Sequence, residues 1–64
     1  MPILKRATAK LREAGIERLE VHRHLWGYIV MDPAMRKQRN WCHDSAEEAV
    51  QAAIKGERPT IPEG

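Results

Sequence analysis

The sequence predicts a small α+β domain in the order helix, strand, strand, strand, helix, with an antiparallel three-stranded sheet and both helices on one face. Two observations carry this. Apolar residues recur at spacings of three and four toward both ends of the chain, which is the helical period. Between those segments the pattern changes to alternation and then to an aromatic and β-branched run, the composition of strands. Short connections then favour a meander, with the helices closing over a single face.

The first helix is read over residues 3–14, where Leu4, Ala7, Leu11 and Ala14 fall on one side. Pro2 suits the start, where a missing N–H costs nothing, and Gly15 suits a left-handed C-cap. In residues 16–24, Leu19, Val21 and Arg23 alternate with Arg18, Glu20, His22 and His24, as in a half-buried strand. Residues 26–32 read Trp-Gly-Tyr-Ile-Val-Met-Asp and suit a second, more central strand, with the turn falling in residues 23–27. Asp32-Pro33-Ala34-Met35 opens a turn, because proline fits the second position of a type I turn. The basic stretch Arg36-Lys37-Gln38-Arg39 follows, and then Asn40-Trp41-Cys42-His43 as a short third strand. Ser45 with Glu48 three residues later is a capping box, and Ala46, Ala49, Val50, Ala53 and Ile54 form the stripe of the second helix, which Gly56 ends. Residues 1–56 are thus read as one compact domain and 57–64 as an extended or disordered tail with two prolines.

The 64 residues exclude a barrel or a dinucleotide-binding fold, each of which needs a far longer chain. A domain of this size buries only about 60% of its unfolded surface, so a staple or a partner subunit is often required. Cys42 is the single cysteine and cannot form an intrachain disulfide; a homodimer is one remaining source of stability. A free thiol and a start without an apolar leader fit the cytoplasm, and no apolar run approaches the length of a membrane span.

The net charge of +2 hides a polarised chain. Lys5, Arg6, Lys10 and Arg12 against Glu13 make the first helix basic, and Arg36, Lys37 and Arg39 make the second loop basic. Residues 44–64 carry five acids and two bases. Local fields of this kind attract acidic partners more strongly than the net charge suggests.

Aromatics lie among the bases: Arg23, Trp26, Tyr28, Arg36, Lys37, Arg39 and Trp41. Rings can stack on unpaired bases while Arg and Lys neutralise phosphates. Strand spacing would put Trp26, Tyr28 and Val30 on one face, a stacking platform if that face is open. The competing expectation is that Trp26 and Trp41 fill the core of a chain without phenylalanine. His22 and His24, with Cys42 and His43, offer four donors to a metal, yet the paired-cysteine spacing of zinc sites is absent, so no metal and no cofactor are expected. No nucleophile elbow, glycine-rich phosphate loop or paired-carboxylate motif appears, which argues against an enzyme.

The element order resembles the double-stranded-RNA-binding domain, which implies phosphate contacts from a basic start to the last helix. Here that place reads Ser45-Ala46-Glu47-Glu48-Ala49, without a base. The chain is also similar to the HicA-type mRNA-interferase toxins: Leu11-Arg12-Glu13-Ala14-Gly15 looks like the end of their first helix, and His24 lies near their catalytic histidine. Their Gly-Ser pair is missing, since Arg23 precedes His24. The expected function is therefore a non-catalytic binding module that meets an acidic partner, nucleic acid ahead of protein, through the sheet face and the basic hairpin. The alternatives are a protein-binding regulator or inhibitor of the phage or mobile-element type, and a HicA-like ribonuclease using His24.

Overall fold

In the computed structural model, which describes residues 2–62, the chain forms α1 (Ile3–Glu13), β1 (Glu20–His24), β2 (Gly27–Met31) and α2 (Ala46–Lys55). The α+β class stands, but the sheet has two antiparallel strands, not three. In the register, Val21 lies opposite Val30, His22 opposite Ile29, and His24 opposite Gly27, leaving Leu25 and Trp26 as the hairpin turn.

Both helices cover the face that carries Val21 and Val30. Leu11 and Val50 are fully enclosed there, with Ala7, Ala46, Ala49, Ala53 and Leu19 around them. Alanines at the helix contact let the two backbones approach closely, so a short α1 and α2 close over one small sheet. Leu4, Ile16 and Tyr28 seal the margin of this core. At the start of α2, Ser45 Oγ accepts from the Glu48 backbone N–H at 3.1 Å, the capping bond that the sequence spacing calls for. At the end of α1, Arg12 Nη1 donates to the carbonyls of Ile16 and Leu19 at 3.0 and 2.8 Å, fixing the connection into β1.

The expected third strand over residues 40–43 is reduced to one bridge. Tyr28 and His43 exchange both backbone hydrogen bonds at 2.8 Å, and among the described residues no further pair forms on this edge of β2. The reason is that the segment has two partners. The Arg39 N–H donates to Thr60 O at 2.6 Å and the Thr60 N–H donates to Arg39 O at 3.1 Å, which holds the start of the segment on the chain that follows α2. Gln38 further closes the preceding loop by donating to Asp32 O while accepting from the Asp32 N–H. Pulled both ways, residues 39–43 bridge to the β2 backbone only at their far end.

That contact fixes the residue beside it. Gly27 has φ +143°, and a Cβ there would fall on the His43 carbonyl oxygen, well inside contact distance. The chain after α2 is likewise attached: Pro59 is buried, and Glu57 Oε2 meets His43 Nε2 at 2.6 Å. Residues 63 and 64 of the expected tail lie outside the described residues.

Candidate binding surface

Strand alternation sends Glu20, His22, His24, Ile29 and Met31 to the face of the sheet that no described helix covers. Trp26 sits in the turn at the end of this face and is 78% exposed; its neighbour Leu25 is 89% exposed. Exposure of that degree rules out a core role for Trp26. The shared face expected for Trp26, Tyr28 and Val30 does not form. Val30 is buried under the helices, Tyr28 packs against the same core, and Trp26 has left the strand.

A different group gathers instead. His24, Trp26, Ile29, Asn40 and Cys42 line a shallow depression of about 270 Å³. The His24 and Trp26 rings lie 5.7 Å apart, tilted at 39°. Ile29 forms its buried apolar floor and Cys42 exposes its thiol. Asn40 Oδ1 is buried without a hydrogen-bond partner. Asn40, Cys42 and Ile29 were not legible as site residues, because the bridge at His43 that brings residues 40–42 to this place has no sequence signature.

The basic residues divide. Arg36, Lys37 and Arg39 are exposed, and among the described residues none forms an ion pair. The ion pairs present there use other groups: Arg18 with Asp32, His22 with Glu20 and His43 with Glu57. Arg23 is exposed on β1 opposite Tyr28, next in sequence to His24. Trp41 is 41% exposed, at the margin of the surface. On α1, Lys5, Arg6 and Lys10 are exposed, but Arg6 and Lys10 share a groove with Glu47 of α2, which offsets their field. Arg12 is committed to the backbone carbonyls named above. The loop at residues 36–39 is therefore the cleaner cationic surface, and Arg23 stands apart from it on β1.

Among the described residues no three His, Cys, Asp or Glu side chains come together in a group fit to hold a metal ion. His22 is bonded to Glu20 and His43 to Glu57, whereas His24 has only the Trp26 ring beside it and no hydrogen-bond partner among the described residues. No described helix is long and apolar enough to cross a membrane. The chain matches no protein-family model, no curated protein and no solved structure.

Proposed function

We propose that the chain is a non-catalytic binding module that takes nucleic acid across the open sheet face and the basic loop at residues 36–39. The observation that carries the reading is the charge state of that loop. Arg36, Lys37 and Arg39 are held on a loop tied at both ends, by Asp32 with Gln38 and by Arg39 with Thr60, yet among the described residues no acid of the chain neutralises them. Cations that the fold positions but does not pair suit phosphates, and the exposed Trp26 alongside suits bases. The free Cys42 thiol fits a reducing compartment such as the cytoplasm.

The test is the salt dependence of binding to a fluorescein-labelled single-stranded oligonucleotide. Three phosphate contacts give a slope of log K against log salt of about −2, at roughly −0.7 per contact. Arg36→Ala/Lys37→Ala/Arg39→Ala should remove most of that slope and leave stability within about 0.5 kcal/mol, as expected for exposed positions. An unchanged slope in the triple variant, or no binding by the native chain, would reject the reading.

A second reading is favoured by the outer edge of β1. Among the described residues that strand pairs only with β2; on its outer edge the Val21 N–H donates to Thr8 Oγ1, and the backbone of Arg23 has no partner. An extended segment of a protein partner, or β1 of a second copy, could add there. Association that survives the salt which strips nucleic acid would identify this case.

A further inference from the structure

We propose that the depression between the hairpin turn and residues 40–42 is a seat for one unpaired nucleobase, which makes the module selective for single-stranded over duplex nucleic acid. This rests on the nucleic-acid reading above and goes beyond it, because a phosphate-binding loop alone would not distinguish the two. Four features converge on the seat. Trp26 offers an almost fully exposed ring, and His24 lies 5.7 Å from it at an angle that leaves the two rings splayed rather than stacked on each other. The floor is the side chain of Ile29, an apolar surface against which a base plane can rest. Asn40 closes one side, and its Oδ1 is buried without a partner. A base edge is rich in donors and acceptors, and an amide that turns over can present either.

The fourth feature is charge. Among the described residues no acid lines the depression, and Arg39 is the sequence neighbour of Asn40, whereas Arg23 lies on the other face of β1. The backbone on the Asn40 side of a seated base would thus run past a cation. A paired base cannot enter, since its edge and both faces are occupied within the helix.

Cys42 supplies an internal reporter, being the single cysteine of the chain, exposed, and part of the lining. The experiment uses the Trp41→Phe variant, in which Trp26 is the remaining tryptophan. It is titrated with a mixed A- and C-rich strand of about 12 nucleotides, within the site sizes of single-strand binders, and with the matching duplex. Three results are expected with the single strand: quenching of Trp26 emission, slower reaction of Cys42 with Ellman's reagent by several-fold, and about tenfold weaker binding when Trp26→Ala is introduced into the native chain. The duplex should give none of the first two. Trp26 is exposed, so its replacement leaves the fold intact, and circular dichroism checks this. Salt-sensitive binding with unchanged Trp26 emission and unchanged thiol reactivity would overturn the base seat while leaving the basic loop as a phosphate site. Equal quenching and protection by duplex would overturn it as well. Absence of any binding by the native chain would remove the parent reading and this one with it.

Discussion

Gly27→Ala is the substitution whose cost follows most directly from the geometry. Two effects act at this position. Alanine at φ +143° is strained, at about 1–3 kcal/mol for a non-glycine residue held in such a region. Its Cβ also meets the His43 carbonyl oxygen, the group that accepts from the Tyr28 N–H at 2.8 Å, and the return bond from the His43 N–H to Tyr28 O is equally short. The clash is relieved only by moving the segment off β2, which breaks both bonds at about 0.5–1.5 kcal/mol each. The sum is about 2–6 kcal/mol. A chain of this length has a total stability of about 3–10 kcal/mol at the usual value per residue, so the loss takes a large share of it. Gly56→Ala is the control. Gly56 has φ +124°, similarly strained for alanine, but a Cβ there meets nothing within 4 Å. Urea unfolding followed by circular dichroism should therefore show a modest loss for Gly56→Ala and a loss at least about 1 kcal/mol larger for Gly27→Ala, the difference being the clash and the two bonds. Amide exchange at Tyr28 and His43 should quicken in the second variant. Equal losses in the two variants would refute the claim that residue 43 is seated on the glycine.

Two further predictions concern what holds the core and the final segment. Leu11→Ala empties a fully buried site between the helices and sheet, and should cost about 2–5 kcal/mol in urea unfolding, a large share of the stability of so small a domain. Glu57→Ala removes the partner of His43, whose side chain is 19% exposed; it should cost about 1 kcal/mol and make the chain after α2 more sensitive to limited proteolysis, while Glu57→Gln, which can still bond the ring, should be milder on both measures.

The parts of the fold that were readable from the chain are those set by local periodicity and end chemistry. Ala7 and Leu11 on α1, and Ala46, Ala49, Val50 and Ala53 on α2, are buried because their spacing matches the helix period, and Ser45 caps α2 by a bond three residues long. Ile54 belongs to the same pattern on paper yet is 43% exposed, since the core is too narrow to cover the whole stripe. The third strand was misread because its composition suits pairing while its partners lie far away in sequence. Whether residues 39–43 follow β2 depends on Thr60 and on Gln38 closing over Asp32, and no periodicity encodes a bond spanning about twenty residues. The aromatic platform failed for a related reason: the turn at Leu25-Trp26 begins one residue later than a strand from residue 26 would need, so Trp26 leaves the face that Tyr28 and Val30 keep. The basic loop was legible because a charge cluster is visible without knowing the register. The depression was not, because half of its lining arrives with the misread segment.

This origin also decides which variants bear on function. Residues 39–43 hold the sheet edge and line the depression at once, so any substitution that frees them lowers stability and binding together. Loss of binding in Gly27→Ala would then say nothing about recognition. Trp26, Arg36 and Lys37 are different, because the fold positions them without using their side chains: Trp26 is 78% exposed, and none of the three donates or accepts a side-chain hydrogen bond among the described residues. Exposed groups with no internal partner contribute little to folding, so whatever they contribute to binding can be measured at constant stability. The side-chain couplings of the small domain lie elsewhere: Arg12, Gln38, His43 and Glu57 tie connecting segments, and Ser45 caps α2. The turn and the basic loop are left free of that duty, and a surface free of structural duty is where selection for a partner can act without unfolding a domain of marginal size.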